Sequence, residues 1–233
     1  MTFIIPAPEQ ASIAVDGTND RFPVRRIFCV GRNYAAHARE MGKDPDREPP
    51  FFFTKPADAV VDTPATIPYP PETANLHYEI ELVVGIGKQA FQVAPEATDE
   101  LIAGYAVGLD MTRRDLQQSA KDMGRPWDWG KAFDQSAPCG PLYRVADTGL
   151  INTGRIWLSV NGEQRQVGDI ADLIWPIPEL LSLLSHSMRL MPGDLVMTGT
   201  PAGVGPVVTG DVITGGVAGL GDIEVVIGAA EGS

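Results

Sequence analysis

The chain has only two cysteines, Cys29 and Cys139, and three histidines in 233 residues. The cysteines lie far apart and fit neither a CxxC pair nor a disulfide-rich framework, so two reduced, partly buried thiols are expected. No apolar run approaches the roughly 18 residues of a membrane-spanning helix. The opening MTFIIPAPEQ has neither the basic nor the apolar region of a secretory signal, so a cytoplasmic protein is expected. Cations are scarce as well: 18 Lys+Arg face 30 Asp+Glu, a formal charge of −12. That balance argues against nucleic acid and anionic membrane as partners, because both select basic surfaces. An anionic substrate must then be met by a few local cations. Finally, there is no GxSxG elbow, no HExxH, no lysine-bearing phosphate loop and no GxGxxG between a strand and a helix.

What is present is a large share of Gly (25) and Pro (20) beside 44% apolar residues. The first pair excludes a long helical bundle, since helices tolerate those residues least. The apolar content excludes disorder, and the length suits one domain with a real core. Residues 1–24 show no period and read as an arm, residues 25–228 as a single domain, and 229–233 as a tail. RIFCV (26–30) and FFFTK (51–55) are strand candidates; Asn33 is placed to cap a helix through about Met41, stopping at Gly42. The Pro-rich stretch 56–71 reads as extended loop, and LHYEIELVVGIG (76–87) as one strand. A helix candidate at 95–103 precedes a strand at 104–111 and a helix at 113–123. Residues 156–168 form a hairpin around Asn161-Gly162, and 177–190 an amphipathic helix. DLVMTG, DVITGG and DIEVVIG close the chain as short strands. Strands dominate and helices are interspersed without a βαβ rhythm, so the class is a β-rich α+β fold.

The most informative local feature is His77-Tyr78-Glu79-Ile80-Glu81. Side chains two apart on a strand share a face at about 7 Å, which puts His77, Glu79 and Glu81 in a row while Ile80 and Leu82 face the core. An isolated ExE is usually a solvated face. Glutamate is nevertheless depleted in strands, and like charges on one face repel unless a cation lies between them. A hard divalent cation fits that need, with Asp110, at the end of the run AVGL, as third carboxylate or else as a turn former. His37 and Glu40 stand at i and i+3 of the proposed first helix, either a surface pair or a base with its orienting acid. Lys131, in WDWGKAF, is either a surface lysine or a partly desolvated cation that stabilises an enolate. His186 reads as packing or compensation of a helix C-terminus. TGTPAGVGP (198–206) reads as a tight turn whose N–H groups are able to hold a carboxylate.

Taken in order, GRNYAAHAREMG (31–42), FTKP (53–56), HYEIEL (77–82), GYAVGLDMTRRDLQ (104–117), GRPWDWGKAFDQSAPCGP (124–141), VNGEQRQ (160–166) and GDLVMTGTPAGVGP (193–206) resemble the fumarylacetoacetate hydrolase family. The likeness spans about residues 25–228 and is to the short acylpyruvase branch, which lacks the long N-terminal domain of the classical enzymes. It implies a mixed β-roll with a Mg²⁺ or Mn²⁺ site at its mouth, and a homodimer. By motif the metal ligands become Glu79, Glu81 and Asp110, and His77 loses the ligand role that spacing suggested. His37 and Glu40 become the catalytic dyad, with Lys131 beside them; Arg32, Arg114, Gln117 and Thr200 become substrate-binding residues. The implied reaction is metal-dependent hydrolysis of a C–C bond in a small anionic 2,4-dioxo acid. PWDWGKAFDQSAPCGP and REPPFFFTKPADAVV are most like members that cleave fumarylpyruvate in gentisate-type aromatic degradation. Competing readings are a broader acylpyruvate hydrolase, an oxaloacetate decarboxylase or tautomerase on the same fold, and a non-enzymatic acidic metal-binding protein.

Overall fold

The computed structural model describes residues 2–35 and 48–231. Its largest unit is an eight-stranded mixed sheet. In spatial order it runs Phe51–Lys55, Arg26–Gly31, Asp194–Met197, Ile80–Ile86, Ile102–Leu109, Ala137–Cys139 and Val60–Asp62, with Tyr143–Arg144 paired beside Ile102–Leu109. A five-stranded sheet packs on it: Glu163–Asp169, Arg155–Val160, Val212–Val217, Ile223–Gly228 and Ala65–Pro68. A third, three-stranded sheet joins Thr112–Arg113, Leu76–Tyr78 and Gly205–Val207. This strand-rich mixed architecture agrees with the β-rich α+β class read from the patterning and with the β-roll that the resemblance implies. Among the described residues, no helix is long and apolar enough to cross a membrane.

The central strand Ile80–Ile86 is buried along its whole length. Its alternation explains why. Ile80, Leu82, Val84 and Ile86 enter the main core with Ile156, Leu158, Ile213 and Val225, whereas Val83 joins a second cluster with Cys29, Ala137 and Met197. Each such aliphatic side chain contributes roughly 1.5–3 kcal/mol on burial. Cores on both faces therefore make this strand a rigid support for the carboxylate it carries at position 81.

Helices Arg114–Asp122 and Ile177–Ser187 lie where expected, the second burying Ile177, Leu180, Leu181 and Leu184 at helical spacing. The Asn161-Gly162 hairpin forms between Arg155–Val160 and Glu163–Asp169. Other segments differ from the sequence reading. The expected single strand 76–87 breaks at Glu79, its first part joining the small sheet and its second the large one. The break leaves the Ile80 N–H free of the ladder, and the side chain of Gln166 accepts it (3.1 Å). Residues 56–71 hold two short strands, Val60–Asp62 and Ala65–Pro68, each paired in parallel with a strand remote in sequence. In 95–103, two 3₁₀ turns replace the expected helix, and the next strand starts at Ile102. The Thr98 hydroxyl donates back to the Pro95 carbonyl (2.8 Å) and closes the first turn.

The 1–24 segment contains a hairpin, Ser12–Ala14 with Arg21–Pro23, anchored by fully buried Ile13 in the second cluster. The helix expected from Asn33 to about Met41 lies, beyond Ala35, outside the described residues. Asn33 itself is buried and ties two loops together. Its Nδ2 donates to the carbonyls of Thr198 (2.8 Å) and Trp175 (3.0 Å), and its Oδ1 accepts from the Trp175 N–H (2.7 Å). Both cysteines are free and buried. The His186 Nδ1 meets the Ser182 carbonyl one turn back (2.8 Å).

Candidate metal centre and active site

Three pieces of backbone bring the acids together. Glu79 sits at the break between two strands and Glu81 one residue inside the rigid central strand. The register Ile80↔Leu109 delivers Asp110 beside them, and the Asp110 N–H donates to the Glu79 carbonyl (2.9 Å). Each carboxylate offers an oxygen within 4.8 Å of the others, and all three side chains are buried. Three buried acids this close are costly unless compensated.

Compensation comes first from cations. Lys131, at the end of the short helix Asp128–Lys131, places Nζ 2.8 Å from Glu79 Oε2 and 2.6 Å from Asp110 Oδ2. Arg114, at the start of its helix, donates to Glu79 Oε1 and, at 2.6 Å, to Gln117 Oε1. Lys55, at the end of Phe51–Lys55, lies 2.9 Å from Asp110 Oδ1. Its Nζ also donates to the carbonyls of Met111 (3.0 Å) and Lys131. Lys55 was not among the expected site residues; its one signal was a lysine at the end of the aromatic strand candidate FFFTK. Lys131, read as either surface or desolvated, is fully enclosed at 2% exposure. Burial works against its charge, but Asp110 and Glu79 outweigh burial and hold the ammonium above its ordinary pKa. Lys131 thus sets a positive charge between the Glu79 and Asp110 carboxylates.

The cations leave work undone. Burial, then Asp110 and Glu79, push the Glu81 carboxyl well above its usual range. Asp110 Oδ1 is buried and faces the Lys55 ammonium at 2.9 Å. An all-oxygen set of three buried carboxylates this close together suits a hard divalent cation, Mg²⁺ or Mn²⁺. Such an ion would remove the repulsion that raises Glu81.

His77 stands apart from this set. Burial and then Arg114 lower its pKa to about 4, so the ring is neutral at pH 7. Its Nε2 meets Asn75 Oδ1 at 2.9 Å while Arg114 Nε approaches Nδ1 at 3.5 Å, which assigns the proton to Nε2. His77 thus props Arg114.

The loop at 198–200 closes the other side. Thr198 bonds the Leu82 carbonyl through both N–H (3.1 Å) and hydroxyl (2.9 Å). The Gly199 N–H then donates to Glu81 Oε2 at 2.6 Å. Gly199 takes φ +103°, and a Cβ there would lie 2.7 Å from that of Asn33, so only glycine fits. The loop does hold a carboxylate, and it is the protein's own. Thr200 is buried beside it and accepts from Gln166 Nε2 (2.8 Å).

Lys131 also lines a cavity of about 550 Å³ walled by Arg32, Phe51, Phe53, Arg125 and Trp127. The Trp127 ring meets Phe51 edge-on at 5.0 Å, and the Arg32 guanidinium lies 5.3 Å from the Phe51 ring centre. Flat aromatic walls with two arginines suit a planar, anionic ligand. Structure thus gathers Glu79, Glu81, Asp110, Lys131, Arg114 and Gln117 into one cluster, with Thr200 on the facing loop and Arg32 in the cavity wall. His37 and Glu40 lie outside the described residues.

Comparison with known proteins agrees with this geometry. A fumarylpyruvate hydrolase from Ralstonia sp. is 47% identical over 193 residues, covering 82% of this chain and 100% of the relative. An oxaloacetate tautomerase from Escherichia coli is 43% identical over 194 residues, covering 83% and 88%. The crystal structure of fumarylpyruvate hydrolase from Pseudomonas aeruginosa in complex with Mn²⁺ and pyruvate superposes with a TM-score of 0.96 at 52% identity, covering 98% of this chain and 100% of that one. The family model described as fumarylacetoacetate (FAA) hydrolase C-terminal matches residues 26–227, and the chain belongs to the fumarylacetoacetate hydrolase family.

Proposed function

We propose that this chain hydrolyses the C3–C4 bond of a 2,4-dioxo acid, with fumarylpyruvate as substrate and fumarate and pyruvate as products. The observation that carries this is the buried Glu79–Glu81–Asp110 cluster with the Lys131 ammonium paired to it, facing a cavity with aromatic and cationic walls. The 47% identity to a fumarylpyruvate hydrolase supports the choice of substrate. Glu79, Glu81 and Asp110 would hold a divalent cation, which supplies Lewis-acid polarisation of substrate oxygens when bound. His37, oriented by Glu40, is assigned to take a proton from water, which attacks the C4 carbonyl. The C3–C4 pair passes to C3 as pyruvate enolate, and a proton returned to C3 gives pyruvate. Lys131 places a positive charge where that enolate develops. Arg32 in the cavity wall is assigned to a substrate carboxylate, and Arg114, Gln117 and Thr200 to its orientation. Gentisate-type aromatic degradation, a cytoplasmic homodimer and a catalytic unit at residues 25–228 complete the reading, on the strength of the family resemblance.

The second reading is oxaloacetate tautomerisation, favoured by the 43% identity to such an enzyme. It needs proton transfer at the carbon beside the ketone and a cation for the enolate, but no attacking water. A panel of acylpyruvates and oxaloacetate, each with Mg²⁺ or Mn²⁺ and with chelator, separates the two. Metal-dependent loss of the enol-diketone absorbance, fastest with fumarylpyruvate, is expected. Tautomerisation of oxaloacetate with every acylpyruvate left intact overturns the hydrolase assignment, and preference for another acyl group makes it a broader acylpyruvase.

A further inference from the structure

We propose that Gln166 is a positioning residue of the metal centre, its amide clamping the break between the two glutamate ligands to the loop that bears Gly199 and Thr200. This rests on the assignment of Glu79 and Glu81 as ligands made above. In the strand Glu163–Asp169 it is the one buried residue, with no exposure at all. A polar side chain fully buried in an edge strand whose other residues are exposed or half-buried needs a reason. The strand supplies the aim. Its pairing shifts from Leu158↔Gln166 to Ser159↔Gln164, so Arg165 is an extra residue, and a bulge of this kind re-aims the side chain beside it.

The amide is used at both ends. Oε1 accepts the Ile80 N–H (3.1 Å), while Nε2 donates to Thr200 Oγ1 (2.8 Å) and to the Pro201 carbonyl (2.7 Å). The orientation is unambiguous, because an N–H only donates and a carbonyl only accepts. Ile80 is the residue between Glu79 and Glu81, and its N–H is the group freed by the strand break. Gly203 lets the loop lie on the bulge: it has φ +96°, and a Cβ there would collide with the Arg165 carbonyl. One amide thus fixes the spacing between the ligand backbone and the loop whose Gly199 N–H holds Glu81.

A second consequence concerns Thr200. With Nε2 on one lone pair of Oγ1, the hydroxyl's own proton points elsewhere. Gln166 therefore presents Thr200 as a donor, suited to a carboxylate or ketone oxygen of the substrate.

The test is Mn²⁺ titration by calorimetry of Gln166→Met, which keeps the volume and removes all three bonds, in the absence of substrate. Loss of a group that orients metal ligands typically weakens affinity about 10–100-fold, and that is expected here. Thermal unfolding checks that the variant is folded. In kinetics, Thr200→Val is expected to cost less when combined with Gln166→Met than alone, because the clamp that orients the hydroxyl is already gone. Folded protein that binds Mn²⁺ within twofold of the parent overturns the proposal. Should Gln166→Met not fold, Gln166→Asn decides: its amide is one methylene short, reaches only one end of the clamp, and is expected to weaken Mn²⁺ about tenfold, with parent-like affinity again overturning it. Calorimetry needs no substrate, so a parent inactive on every dioxo acid would refute the proposed reaction and leave this result standing.

Discussion

Replacing Lys131 by Met tests the charge balance on which the site depends. The ammonium is 2% exposed and touches Glu79 Oε2 and Asp110 Oδ2 at 2.8 and 2.6 Å. Its removal leaves two buried carboxylate oxygens without the donor between them. Deleting one member of a buried ion pair costs about 3–5 kcal/mol. In a chain of this length, 1 kcal/mol moves the thermal midpoint by about 2–4 °C, so the metal-free variant should melt roughly 6–20 °C below the parent. A divalent cation should reverse part of that loss. At 100 times its dissociation constant a ligand contributes about 2.7 kcal/mol, and the variant's carboxylates no longer share themselves with Lys131. The Mn²⁺-induced rise should therefore be larger in the variant than in the parent. Scanning fluorimetry of both proteins, in chelator and in graded Mn²⁺, reads this directly. Turnover should stay low even with metal, by about 10²–10³-fold, because the enolate has lost its fixed charge. A metal-free midpoint within about 2 °C of the parent, or equal Mn²⁺ shifts, would refute the reasoning.

Three further outcomes are expected. His37→Ala should lower kcat by about 10²–10⁴-fold with Mn²⁺ binding intact by calorimetry, and near-normal turnover would remove His37 as the base. Lys121 lies over the Trp127 ring (5.0 Å), and burial, then Arg114 and Arg32, bring its pKa down to about 8. Its positive charge is lost as pH rises through that value, so KM for a dianionic substrate should rise from pH 7 to 9. Lys121→Met should flatten that rise, and an unchanged pH curve in the variant would exclude Lys121 from substrate attraction. Burial and then Asp62 push the Cys139 thiol to about 12, and burial and then Asp110 raise Cys29 well above its ordinary value. At pH 8 the Cys139 thiolate fraction is about 10⁻⁴, so a thiol-disulfide reagent should leave the native protein unlabelled and titrate both cysteines in denaturant. Rapid labelling of native protein would show that the second core opens.

Local patterns carried much of this protein in the sequence alone. The hairpin at Asn161-Gly162 and the helices at Arg114–Asp122 and Ile177–Ser187 were legible because turn chemistry and helical periodicity act over a few residues. The residue types of the metal centre were legible for a related reason: Glu79 and Glu81 in a strand context, and Asp110 after an apolar run, are each locally anomalous. Pairing between distant segments left no such trace. Val60–Asp62 and Ala65–Pro68 look like loop until Ala137–Cys139 and Ile223–Gly228 are brought alongside, since parallel partners are never neighbours in the chain. Only the tertiary structure broke the strand at Glu79, sank Lys131 and Lys55 beneath the carboxylates, and turned Gln166 inward to hold the break. Burial sets the charge state of each of these groups, and burial belongs to the assembled layers, not to any one segment.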